Sequence, residues 1–251
     1  MNFLSCRMCN LYHVSPKGDL TTYFRSMPPD GLVEAPIGPF GQGTFVRRVA
    51  GERVATVGQW GLIRPGQPER IDYLAPKAGP AGKARKPRPR STNNARVEGI
   101  EAKPTFKAAW KAGQRCLVPA QWYQEPNWET GRNVWWQLRR ADGLPWALAG
   151  LWSEWIDPQT GEVVPNFTLI TCNCDAHPLL ARLHKPDTTL PADGQDKRSL
   201  VHIEPEHWAQ WLEGSEDEAR ALIQPPPLAM FDLADARRTD QLLAAQRAAS
   251  A

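Results

Sequence analysis

Three runs in the second half of the chain constrain its fold most: VWWQLRR, PWALAGLWSEW and FTLITCNC, each alternating or continuously apolar over the length of a strand. Side chains on a strand point to opposite faces in turn, so runs of this kind bury one or both faces of a sheet. Ala141, Asp142 and Gly143 supply a turn between the first two, and residues 126–132 form a turn that separates them from the strand-like CLVPAQWY. Two further runs, TFVRRVA and RVATVGQW, flank Gly51 and Glu52 as the arms of a hairpin would. The pattern predicts a β core.

Helical signals are short by comparison. Residues 11–27 read as a strand and then, after Ser15 and Pro16, a short helix, since proline suits a first helical turn. Lys103 and Pro104 open TFKAAWKAGQR, with Gly113 as its stop; PLLARLH reads as a helical turn, and EPEHWAQWLEG as a later helix. The Ala-rich, alternately charged LADARRTDQLLAAQRAASA reads as a frayed helix or flexible tail over residues 229–251. A chain of 251 residues buries one substantial core, so one α+β domain with a loose tail is expected.

Several function classes recede on composition. No apolar run approaches the ~20 residues that cross a bilayer, and the start lacks the ~7–15 apolar residues of a signal peptide. A cytoplasmic protein without membrane partners is expected. Five cysteines, an odd number, argue against a disulfide framework. The net charge of +3 is mild, but its distribution is uneven. Lys77, Lys83, Arg85, Lys86, Arg88 and Arg90 crowd residues 75–92 with no acid among them. Such a segment is either a solvated loop or a loop that neutralises phosphates.

The candidate chemistry is scattered. Cys6 and Cys9 form a C-x-x-C, and Cys172 and Cys174 a C-x-C, which leaves a redox or zinc protein open although a second pair with zinc spacing is missing. Met8 offers another reading: with translation from Met8 and loss of that methionine, Cys9 becomes an N-terminal 1,2-aminothiol. Its amine (pKa ~7.7–8.0) and thiol (~8.5) are both partly nucleophilic near neutrality. They condense with an aldehyde to a Schiff base and then a thiazolidine, which an internal cysteine cannot do; a buried, inert cysteine is the alternative. Asn94, Arg96 and Glu98 in NNARVE would share one face of an extended strand, a surface suited to phosphate and sugar or to an ordinary polar edge. Glu125 lies among Trp122, Tyr123 and Trp128, where apolar neighbours would raise its pKa into a useful range for proton transfer. His184, in ARLHKP, sits where a buried strand and helical turn lead into a polar loop. Of the eleven tryptophans, most belong to the core; Trp60, Trp122 and Trp128, beside turns, are candidates for stacking on unpaired bases.

Taken in order, MCNLY, WGL, NARVE, KPTF, RCLVPA, EPNW, ALAGLW and RLHKP resemble the SOS response-associated peptidase (SRAP) family, over about residues 8–212. The resemblance implies a β-rich α+β domain with a mixed or antiparallel barrel-like sheet, short flanking helices and a positively charged groove. It implies abasic-site processing in the DNA-damage (SOS) response, with Cys9 forming a covalent thiazolidine cross-link to the ring-opened sugar in single-stranded DNA. The family's asparagine falls on Asn94, its phosphate-binding arginine on Arg96, its glutamate on Glu125 and its histidine on His184. An associated self-processing protease activity at the same site would release the N-terminal extension, residues 1–8, and leave a catalytic domain over 9–228. Single-stranded DNA with abasic sites is the implied partner, the protein acting as a nucleoid-associated monomer, with no metal or cofactor and with replication-fork proteins as candidate partners. The chain departs from the family where Gln124 replaces an aromatic beside Glu125, where Asn10 follows Cys9, and in residues 1–7. A non-catalytic single-stranded nucleic-acid binding module is the competing class.

Overall fold

The computed structural model describes residues 10–75 and 86–249. Its centre is a closed barrel of five strands: β3 (Gln42–Val49), β4 (Glu52–Trp60), β8 (Arg115–Asn127), β10 (Trp146–Ile156) and β11 (Val163–Asn173). Short strands precede and interleave with these: β1 (Tyr12–Val14), β2 (Pro36–Ile37), β5 (Tyr73–Leu74), β6 (Arg88–Pro89), β7 (Asn94–Arg96), β9 (Val134–Leu138) and β12 (Arg198–Leu200). Around the barrel run β10-β11-β4-β3-β8, and β8 pairs with β10 to close it. All of these pairings are antiparallel except β4 with β11, so the barrel-like mixed sheet expected from the sequence is present.

Closure depends on a missing side chain. A Cβ on Gly150 would lie 2.7 Å from the carbonyl oxygen of Thr168 and 2.9 Å from Sγ of Cys116. Only glycine lets β10 pass between β8 and β11 at that spacing. The hairpin joining β3 and β4 turns on Ala50 and Gly51, both with positive φ, the left-handed pair that a two-residue hairpin requires. The sequence expectation had set that turn one residue later.

Strand alternation divides the core in two. Phe45, Cys116, Val118, Leu148, Phe167 and Leu169 fill the barrel, while Val46, Leu117, Ala149 and Ile170 point outward and are covered by short helices. Those helices are α1 (Lys17–Thr22), α2 (Pro104–Lys111), α3 (Trp208–Glu213) and α4 (Glu216–Ala221). Both strand faces are therefore buried, which explains why the runs are apolar throughout rather than strictly alternating. No helix among the described residues is long and apolar enough to cross a membrane.

Two segments differ from expectation. Residues 126–132 were expected as a turn, but β8 continues through Asn127 because β9 pairs with it from Tyr123 to Asn127. Of the frayed helix or flexible tail expected at the end of the chain, the structure has the helix, α5 (Ala234–Ala249), but its first turns are docked: Ala236 and Thr239 are buried.

Candidate active site

β8 carries Glu125 to one end of the barrel. Tyr123, Glu125 and Asn127 alternate onto the inner face, so the carboxyl is buried at 3% exposure although its sequence neighbours Gln124 and Trp128 reach solvent. His184, equally buried, follows a 3-10 turn at Leu180–Arg182 and returns to the same strand end. Its backbone N–H donates to the carbonyl oxygen of Pro126 at 2.6 Å, and its φ of +63° places it in the left-handed region. A residue with a Cβ occupies that region only when its surroundings hold it there, and such positions cluster at functional sites. Here Lys197 does the holding: its Nζ donates to the carbonyl oxygens of Leu183 (2.6 Å) and His184 (2.9 Å).

Nδ1 of His184 lies 3.7 Å from Oε2 of Glu125. Nε2 is 3.1 Å from the carbonyl oxygen of Arg198, an acceptor only, so Nε2 carries the proton and Nδ1 presents its lone pair to the carboxyl. Burial pushes Glu125 well above the usual carboxylate range and pushes His184 down to about 4. Were the two a salt bridge, the shifts would run the other way; desolvation outweighs the mutual attraction, and the pair is a neutral acid facing a neutral base. Neither Oε2 nor Nδ1 has a hydrogen-bond partner among the described residues. The arrangement can donate a proton from Glu125 and accept one at His184 within a dry pocket.

β7 brings the amides. It runs parallel to β11, with Asn94 opposite Leu169, and Asn94 is buried. The carbonyl oxygen of Asn93 accepts from the indole Nε1 of Trp60 (2.8 Å) and from the N–H of Leu169 (3.0 Å). Its side-chain amide donates to Oδ1 of Asn10 at 3.2 Å. On the other side, the N–H of Gln124 donates to the carbonyl oxygen of Leu11 at 2.9 Å, and Tyr12 pairs with Tyr123. The segment that immediately follows Cys9 therefore lies between Asn93 and the strand that bears Glu125. Cys9 itself, with Cys6, Lys77, Lys83 and Arg85, lies outside the described residues.

Arg96 belongs to an ionic chain. It donates to Asp196 at 2.5 Å, Asp196 accepts from Arg198 at 3.2 Å, and Arg198 grips Glu98 through two contacts of 2.8 Å. Arg198 is nearly fully buried, and its own carbonyl is the oxygen that fixes the His184 tautomer. Glu98 reaches this partner from a 3-10 turn, Val97–Gly99, rather than from the strand expected to carry Asn94, Arg96 and Glu98 on one face. The strand stops at Arg96 because the backbone turns there to meet Arg198.

Other expectations are corrected by burial. Trp60 is fully enclosed and holds Asn93, so it offers no face to a base. Trp122 is 7% exposed, packed against His13 with the Arg139 guanidinium over its ring. Trp128 is half-buried, its ring under the Lys185 ammonium. Lys86, Arg88 and Arg90 are exposed, and Arg90 is paired with Asp72. Cys172 and Cys174 pack in different core clusters, and no metal-holding group of three His, Cys, Asp or Glu side chains occurs among the described residues.

Sequence reasoning missed Asp196, Lys197 and Arg198. They stand in a polar stretch, QDKRSL, without any local pattern that marks a site. The pairing of β12 with β11, and the Asp175 carboxylate that accepts from the N–H groups of Asp196 and Lys197, bring Lys197 and Arg198 to His184.

A solved structure of a protein from Bordetella bronchiseptica is similar to this chain at 30% identity and a TM-score of 0.74, covering 89% of this chain and 97% of that one. A protein from Bacteroides thetaiotaomicron (20% identity, TM-score 0.67, 89% and 90% covered) and a phage-related protein from B. bronchiseptica (16%, 0.53, 90% and 92%) share the fold. No curated protein matches the chain. The family model described as SOS response associated peptidase (SRAP) matches residues 8–236. This chain belongs to the SRAP family.

Proposed function

We propose that this protein captures abasic sites in single-stranded DNA by forming a thiazolidine between the N-terminal Cys9 and the ring-opened deoxyribose aldehyde. The observation that carries the reading is the dry, neutral Glu125–His184 pair next to the segment that follows Cys9. Cys9 directly precedes Asn10 in the chain, and the Asn10 side chain contacts Asn93.

In the proposed reaction the α-amine of Cys9 adds to the aldehyde carbon. The resulting hydroxyl leaves as water after taking a proton from Glu125, and an iminium remains. The thiol sulfur then closes on the iminium carbon and gives up its proton, through His184 Nδ1, to Glu125. One aldehyde and one aminothiol give one thiazolidine and one water, and the acid is restored. Asn94 orients the amine, and Arg96 binds the phosphate. The exposed Lys86, Arg88 and Arg90, with Lys77, Lys83 and Arg85, attract the strand. The same groups would cut the peptide bond before Cys9: the thiol attacks the preceding carbonyl carbon, the Cys9 α-amine leaves with a proton from Glu125, and water then hydrolyses the thioester and frees the thiol.

The test is incubation of the protein, its N-terminus verified as Cys9 by intact mass, with a single-stranded oligonucleotide bearing one abasic site. A shifted band that survives denaturation and is lost in Cys9→Ala is expected. Equal, reversible binding of intact and abasic strands by both proteins would instead identify a non-catalytic binding module.

A further inference from the structure

The residues that hold Glu125 and His184 are themselves held from outside the barrel. Trp136, on β9, is the cross-strand partner of Glu125, and its indole Nε1 donates to Oγ1 of Thr239 at 2.9 Å. The next residue, Gln137, donates its backbone N–H to the Asp235 carboxylate at 2.7 Å. Arg182, two residues before His184, lays its guanidinium 5.1 Å over the Trp136 ring and donates to Asp240 at 2.5 Å and to Glu129 at 2.8 Å. The carbonyl of Arg182 accepts from the Asn127 amide, and Leu183 bridges Asn127. α5 is therefore tied to both arms of the catalytic pair: to the Glu125 strand through Trp136, and to the His184 turn through Arg182.

This helix is otherwise weakly attached. Of its sixteen residues only Ala236 and Thr239 are buried, and even Leu242 is left exposed. Thr239 and Asp240 also lie beyond residue 236, where the family match ends. A side chain that accepts from a buried indole and another that anchors an arginine beside the site are specific contacts on a helix with little other reason to dock.

We infer that α5 is a brace for the active site and that Thr239 and Asp240 are positioning residues, acting through Trp136 and Arg182 to keep the Glu125–His184 pair at its spacing and closed to water. The inference rests on the proposed function for what the pair does, but not for the brace itself. With the brace loosened, water reaches the pair, and His184 returns towards the ordinary histidine range.

The experiment is a pH titration of the His184 ring nitrogens by NMR in the full chain and in Thr239→Val/Asp240→Asn, with cross-linking rates measured on the same samples. A midpoint raised by at least about half a unit in the variant and a rate about fivefold lower, of the size expected for loss of one or two such contacts, are predicted. Thr239→Ser, which keeps the hydroxyl, should behave as the wild type. If the double variant fails to fold, Asp240→Asn alone is titrated, with the same upward movement expected. An unmoved midpoint with an unchanged rate overturns the brace. A moved midpoint in a protein that forms no cross-link supports the brace and refutes the proposed reaction; cross-linking with an unmoved midpoint does the reverse.

Discussion

Oε2 of Glu125 and Nδ1 of His184 face each other across 3.7 Å, a lone pair opposite an acid proton, with both side chains 3% exposed. That distance is longer than a hydrogen bond and shorter than a water-filled gap, so a proton-bearing substrate atom can be served by both groups. The expected consequences are separable by experiment.

Glu125→Gln keeps the shape of the side chain and removes its transferable proton. Cross-linking should slow by about a hundredfold or more, in line with loss of a general acid. Stability should move the other way. Because the folded pKa of Glu125 is raised, its contribution is fully present below about pH 4.5 and is lost as pH rises through the folded value. The melting temperature of Glu125→Gln relative to wild type should therefore increase between pH 5 and pH 8, as followed by calorimetry.

For His184 the sign is opposite. A folded pKa of about 4 against 6.5 means its contribution is complete above about pH 6.5 and disappears as pH falls through 4. The most that can be lost is about 3 kcal/mol. Asparagine accepts the left-handed conformation at this position, so His184→Asn should fold and show a shallower acid limb in denaturant titrations between pH 7 and 4. His184→Val, β-branched at a φ of +63°, should be markedly less stable at every pH.

In the proposed complex Asp196 would compete with phosphate for Arg96, to which it is paired here. Its φ of +53° is also compatible with asparagine, so Asp196→Asn removes charge without backbone strain. Intact single-stranded DNA should bind up to about fivefold more tightly at low salt, the worth of a partly exposed ion pair, and the gain should vanish at high salt. Fluorescence anisotropy with a labelled oligonucleotide measures both.

Trp60→Phe should cost about 1–3 kcal/mol through the lost bond to the Asn93 carbonyl and the smaller ring. Because Trp60 positions Asn93 from inside the core, cross-linking should fall while the affinity for intact strands stays constant. Unchanged cross-linking would show that the site does not depend on the Trp60 bond to Asn93.

Much of this was legible in the residues. The apolar runs that became β8, β10 and β11 announced a β core, and Ala141, Asp142 and Gly143 located the turn between β9 and β10. Glu125 stood out because a carboxylate in an aromatic strand needs a reason to be there, and His184 because of the turn that delivers it. The helix that became α5 was unreadable as a docked element, since its composition resembles a solvated tail and its attachment rests on Thr239, Asp235 and Asp240 meeting partners 103, 98 and 58 positions earlier.

The sequence by itself determined the strands, their apolar faces and the residue types from which a site could be made, because those depend on periodicity and local chemistry. Tertiary structure alone decided that Trp60 is core rather than surface, that Lys197 and Arg198 hold His184, and that burial pushes the pKa of Glu125 up and that of His184 down. Each of those facts depends on which distant segments exclude water from a given side chain. Barrel closure decides that, and no local pattern encodes it.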